Sequence, residues 1–141
     1  MEKLPKETYN SILLKLEAGD QKAKFDHLEE ALTFYFDALE LIPEPKNNWE
    51  VTLQVVVAIA DCYFNLENWN QANGYYNQAL FCPDGVSSGY VWLGLGQSYF
   101  EIGNLEKAKD CLMSAYMLEG KDIFEDQDGK YFNIIKEFVL L

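Results

Sequence analysis

Residues 92–99 read W-L-G-L-G-Q-S-Y. That order places Trp92, Leu95, Gly96 and Tyr99 at the spacing W-x2-L-G-x2-Y, and Ala108, Leu112 and Ala115 follow as A-x3-L-x2-A. Shifted back 36 residues, the pattern returns as Val56, Ile59, Ala60 and Tyr63, then Ala72, Tyr76 and Ala79, with Pro83 closing. Shifted back a further 41, its second half returns as Ala31, Tyr35, Ala38 and Pro43, preceded by Ala18-Gly19. Lys22 stands in that copy where the later ones have tyrosine, so its first half has drifted. Within each segment apolar residues recur at i, i+3, i+4 and i+7, the helical period and not the strand period. Gly96 and Ala60 on first helices, with Ala108 and Ala72 on their partners, allow two helix axes to approach to about 8–10 Å.

Turn and cap residues divide the chain at the same places. Asn47-x-x-Glu50 and Asn68-x-x-Gln71 have the form of capping boxes, and Ser87 or Ser88 and Asn104 are simple N-caps. Pro5 suits the edge of a first helical turn. The spacing predicts helices near 5–24, 27–41, 48–65, 69–81, 88–102 and 105–119. Pro43-Glu44-Pro45 and Cys82-Pro83-Asp84-Gly85 separate the repeats. From Lys130 the tail reads K-Y-F-N-I-I-K-E-F-V-L-L, which puts Tyr131, Ile134, Ile135 and Phe138 on one face of a capping helix.

These motifs resemble the tetratricopeptide repeat (TPR) family, antiparallel helix pairs of about 34 residues. The resemblance covers roughly residues 6–120. It implies an all-α single domain spanning 1–141: three TPR-like pairs (6–43, 48–84 and 88–120) in a short right-handed solenoid, closed by a capping segment at 121–141. Leu112 in place of the usual Phe, and Gly120 in place of the closing Pro, depart from the family pattern without breaking the architecture.

Composition narrows the function. The 141 residues hold 23 Asp and Glu against 11 cations, all of them lysine, for a formal charge of −12. Such a chain would be repelled by nucleic acid, whose binding needs cationic groups to displace counterions. A hydrophobic share of 49% rules out disorder. The longest apolar run, Val55 to Ala60, is too short to span a bilayer, and no secretory leader is visible, so a cytoplasmic protein with no membrane role is expected. Cys62, Cys82 and Cys111 form no C-x-x-C pair and read as buried reduced thiols.

No catalytic constellation emerges. His27, the one histidine, falls in a predicted turn. Asp126, Asp128 and Gly129 follow the order of a calcium loop, but Phe124 and Ile135 would fall at its first and twelfth ligand positions, so the segment is an acidic linker. Gly94-x-Gly96 lies inside a helix and opens no phosphate cradle. The reading is a non-enzymatic chain with no catalytic residues, cofactor or metal.

A helix-pair solenoid has a concave face lined by its first helices. The resemblance assigns to it Leu13, Leu16, Asp20 and Lys24 in repeat 1, then Gln54, Val57, Asp61, Phe64 and Asn65 in repeat 2. Repeat 3 adds Tyr90, Leu93, Gln97, Phe100 and Glu101. The expected anchor is Phe64 with Phe100, rimmed by Asp20, Asp61 and Glu101. Between Asn47 and Leu105 there is no lysine, while Glu50, Asp61, Glu67, Asp84 and Glu101 contribute five negative charges. That field would steer a basic partner inward. It argues against one use of the family, clamping acidic chaperone tails, for which only Lys24 is available.

The chain therefore reads as a protein-binding module, a monomer in its expected state, that captures a basic protein. The stretch E-K-A-K-D-C-L-M-S-A-Y-M-L-E-G-K-D-I-F, with E-D-Q-D-G-K-Y-F, is similar to short bacterial repeat proteins found beside polymorphic toxins. That likeness implies an immunity or antitoxin protein occluding a basic toxin domain. The alternative is a secretion chaperone or assembly adaptor holding a peptide segment in the groove.

Overall fold

The computed structural model describes residues 3–139; Met1, Glu2, Leu140 and Leu141, the outermost residues of the predicted domain and of its capping segment, lie outside them. Among the described residues there are seven α-helices and no strand. They are α1 (Lys6–Lys24), α2 (Leu28–Leu41), α3 (Glu50–Asn65), α4 (Trp69–Ala79), α5 (Gly89–Ile102), α6 (Leu105–Glu119) and α7 (Gly129–Asn133). The first six pack as the hairpins α1–α2, α3–α4 and α5–α6, with α2 against α3 and α4 against α5. The repeat register thus becomes a stack.

Small residues set the spacing of the stack, at two kinds of contact. A Cβ on Gly96 would lie 2.6 Å from Leu112 Cγ, so this glycine admits the hairpin's own second helix. A Cβ on Gly94 would lie 2.4 Å from Tyr76 Cε1, so its neighbour admits the preceding repeat. Gly19 meets Tyr35 as Gly96 meets Leu112, at equivalent positions. Around these contacts Ile12, Ile42, Ile59, Leu95, Leu112 and Ile135 are fully buried, each stabilising the fold by about 1.5–3 kcal/mol relative to exposure.

The hairpin turns share one backbone solution. Asp26, Glu67 and Gly103 all take positive φ, at 63°, 62° and 97°. The next residue opens the second helix, and Asn68 and Asn104 accept from the backbone N–H of Gln71 and Lys107; Asn104 is the simple cap predicted, while only half of the Asn68 box forms, because the Asn68 N–H donates to Tyr63 O. Ser88, not Ser87, caps α5. The predicted Asn47 box does not form. Lys46 Nζ donates to Leu39 O and Ile42 O at the end of α2, drawing 46–48 into a 3-10 turn. Asn47 instead accepts from Gln78 Nε2 at 3.0 Å, and α3 starts at Glu50.

The C-terminal cap is present but broken. A 3-10 turn (Lys121–Phe124), the five-residue α7 and a second 3-10 turn (Lys136–Phe138) replace the single helix. Tyr131 and Ile135 are buried as predicted, and Ile134 is partly buried. Phe138 is 57% exposed, because the change to 3-10 pairing after Ile135 rotates it off the packed face. Asp128, part of the rejected calcium loop, caps α7 through Lys130 N. All three cysteines are buried and free.

Candidate functional site

The predicted concave residues fall into registers, one member from each first helix. Leu16, Val57 and Leu93 form one; Asp20, Asp61 and Gln97 the next; Lys24, Asn65 and Glu101 a third. The structure treats the members differently. In repeat 3 the row is covered by the chain's own C-terminal segment. Leu93 is buried in one cluster with Phe124, Tyr131 and Ile135. Gln97, 5% exposed, donates from Nε2 to Gln127 Oε1 at 2.7 Å. Phe100 packs edge-on to Tyr131 with ring centroids 5.3 Å apart. Glu101 accepts from the Tyr131 hydroxyl at 2.7 Å and from Lys130 Nζ at 2.9 Å.

Four predicted partner residues are therefore occupied: Leu93, Gln97, Phe100 and Glu101. Phe64 is likewise no free anchor; it lies edge-on to Trp69 at 4.9 Å and packs between repeats 2 and 3. Leu16 is buried in the first core cluster. The cover comes from neighbours outside the repeat pattern: the C-terminal segment over Leu93, Gln97, Phe100 and Glu101, and Trp69 of the same hairpin beside Phe64.

The open part of the face lies on α1, α3 and the first turn of α5. Asp20, Lys24, Gln54, Asn65 and Tyr90 are exposed, and Val57 and Asp61 are partly so. Leu53, Gln54, Val57, Ala58, Asp61, Ser88, Tyr90 and Val91 line a cleft of about 370 Å³. Asp61 carries its polar end. One carboxylate oxygen, Oδ1, accepts the Tyr76 hydroxyl, and Oδ2 accepts the Tyr90 hydroxyl at 2.9 Å. Burial pushes the Asp61 carboxyl above its ordinary range, while the two tyrosine O–H bonds pull it down. Burial and the adjoining carboxylate push the Tyr76 and Tyr90 hydroxyls up, so both stay protonated donors.

Asp20 repeats half of this arrangement, accepting the Tyr35 hydroxyl at 2.6 Å. The pairs Asp20–Tyr35 and Asp61–Tyr76 share the 41-residue offset between repeats, so the signal was present in the sequence. In repeat 3 the same two positions hold Gln97 and Leu112. A second cleft, about 420 Å³, lies off this face beside the starts of α1 and α3 and is lined by Lys3, Lys6, Tyr9, Trp49 and Glu50 among others. Sequence reasoning gave no sign of it, since its residues do not recur from repeat to repeat. Among the described residues no group of three or more His, Cys, Asp or Glu side chains could hold a metal ion. No described helix is long and apolar enough to cross a membrane.

The family model for the C-terminal domain of cilia and flagella-associated protein 70 matches residues 7–123. The chain belongs to this family. No curated protein sequence matches it. Among solved structures, the C-terminal TPR-containing domain of a Plasmodium falciparum FK506-binding protein superposes with a TM-score of 0.77 at 18% identity, covering 97% of this chain and 94% of that one. The first TPR of Spaghetti (RPAP3), bound to the HSP90 peptide SRMEEVD, gives 0.73 at 20% identity over 92% and 94% of the two chains. The second TPR of the same protein, bound to the same peptide, gives 0.69 at 19% identity over 82% and 100%. These likenesses establish the TPR fold.

Proposed function

We propose that the chain is a protein-interaction module that receives a basic segment of another protein on the concave face of α1, α3 and the start of α5. The observation that carries this reading is the open Asp61 cleft in a stretch, Asn47 to Leu105, that contains no lysine. Fold likeness to TPR domains bound to a peptide supports the module. An acidic tail such as SRMEEVD is a poor match for this surface, because α3 and α5 offer it no cation.

Of the two narrower roles, membership of a cilia and flagella-associated family favours an assembly adaptor. The immunity or antitoxin role draws no support from the comparisons, and what is kept of it is the basic character of the partner. The test is selection of peptides from a displayed random library on the full chain, followed by amide shift mapping. Basic peptides that perturb α1, α3 and α5, and bind more weakly as salt rises, are the expected result. Enrichment of acidic or neutral peptides, or perturbation confined to α2, α4 and α6, would overturn it.

A further inference from the structure

We propose that the cleft between α3 and the first turn of α5 is an anchor socket for one lysine or arginine side chain of the partner, its charged head meeting the Asp61 carboxylate. This rests on the concave-face reading above and adds to it the residue that confers specificity. The lining offers both kinds of contact that such a side chain needs. Leu53, Val57, Ala58 and Val91 supply apolar walls for an aliphatic stem, and Asp61 with the Tyr90 hydroxyl supplies the polar end. Each Asp61 oxygen accepts one tyrosine hydroxyl, which fixes the carboxylate and leaves acceptor sites over for a cation.

Repeat 3 contains a comparable latch that holds a cation, one helical turn beyond Gln97, the residue in register with Asp61. There Glu101 accepts a tyrosine hydroxyl, from Tyr131, and a lysine ammonium, from Lys130, at 2.7 and 2.9 Å. The same Lys130 Nζ sits 5.3 Å from the Tyr131 ring centroid and 5.6 Å from that of Phe100. A carboxylate on a first helix, a tyrosine hydroxyl and an ammonium beside aromatic rings make up that latch. Asp61 has the carboxylate and two tyrosines but no cation: the described ion pairs use Lys15, Lys22, Lys46 and Lys130, none with Asp61. The partner would supply the missing member. Asp20 also holds a tyrosine hydroxyl but lines neither of the clefts described, and Gln97 has no charge, so Asp61 is the member of this register that joins a tyrosine-held carboxylate to a cleft.

The experiment titrates the full chain with Nα-acetyl-lysine methylamide, Nα-acetyl-arginine methylamide and, as control, Nα-acetyl-norleucine methylamide, following NMR shifts. Saturable shifts at Asp61, Val57 and Tyr90 with either cationic probe, and not with norleucine, are expected. Asp61→Asn keeps an acceptor oxygen for one tyrosine and turns an amide N–H, which a hydroxyl oxygen can accept, to the other; it should weaken the cationic probes about tenfold or more. The exposed Gln54→Lys, which places an ammonium at the mouth, should weaken them as well. Equal shifts with norleucine, or unchanged affinity in a folded Asp61→Asn chain, would overturn the socket. The two readings fail separately. Basic library peptides that bind α1, α3 and α5 equally well in Asp61→Asn would remove the socket and keep the face. Saturable lysine shifts at Asp61, with no basic peptide selected, would do the reverse.

Discussion

Replacing Gly94 by alanine tests the repeat-to-repeat contact directly. In an exposed helix interior this substitution is favourable by about 1 kcal/mol, because glycine has more backbone freedom to lose. At Gly94 the new Cβ would lie 2.4, 2.5 and 2.9 Å from three atoms of the Tyr76 ring. That ring cannot swing aside cheaply: it is buried, and its hydroxyl is held by Asp61. Overpacking of this kind costs about 1–3 kcal/mol, and three short contacts with a rigid ring place it near the top of that range. The net expectation is a loss of about 2 kcal/mol, the clash less the helix gain. Gly74 provides the internal control. It lies in α4, and a Cβ there meets nothing within 4 Å. Gly74→Ala should therefore gain up to about 1 kcal/mol, and the two variants should differ by about 3. Urea unfolding at unchanged m-value measures both. A Gly94→Ala chain as stable as its parent would show that α4 and α5 are not held at this distance by the Tyr76 ring.

Three further outcomes follow from the same structure. Ile135→Ala, at a fully buried cap residue, should cost about 2–5 kcal/mol by urea unfolding, and hydrogen exchange should quicken first in 121–139 and α6; exchange unaltered in α6 would mean that the cap does not support repeat 3. Asp61→Asn should lose relative stability in acid. The native Asp61 carboxyl takes up its proton above its ordinary value of 3.8, so the parent binds more protons than its unfolded chain in that window and gains on the variant as pH falls through it; paired melts across the acidic range give the sign, and the opposite slope would refute it. Cys62 and Cys111, buried and with thiols pushed up to about 11, should resist a thiol reagent at neutral pH until urea unfolds the chain; rapid labelling of the native protein would contradict their burial.

The repeat architecture was legible because its signals are periodic. Ala31, Ala72 and Ala108 are all fully buried, as their register requires. Asn68 and Asn104 cap α4 and α6 because a side chain three residues from a backbone N–H needs no tertiary knowledge to be read. What was not legible depends on neighbours that the period does not encode. Phe64 and Phe100 look like exposed groove residues from their spacing, yet Trp69 and Tyr131 cover them. Asn47 has the right spacing for a cap, but Lys46 binds the end of α2 and turns Asn47 toward Gln78. The candidate site was half visible. Asp61 and Tyr90 were named as separate surface residues, whereas their bond, and the part of Tyr76 in it, needed the distance between α3, α4 and α5. Gly94 was passed over as an ordinary helix residue because only a three-dimensional contact distinguishes its role from that of Gly96.

The replacement of the aspartate–tyrosine pair by Gln97 and Leu112 gives the stack a direction. Repeats 1 and 2 each present a carboxylate fixed by a tyrosine toward the next unit, whereas repeat 3 presents a neutral amide that Gln127 satisfies and a leucine that packs against the closing segment. The three units are therefore not interchangeable words but a sentence with its full stop written in. Doubling the middle unit would keep a donor for Asp61 at the new joint, since Gln54 would stand where Tyr90 now does, but it would set Ala58 where Gly94 now admits the Tyr76 ring. Doubling the last would strand Gln97 beside a helix that carries no Gln127. Each joint is therefore specific to the pair of units that meet at it: Gly94 is fitted to Tyr76, and Gln97 to Gln127.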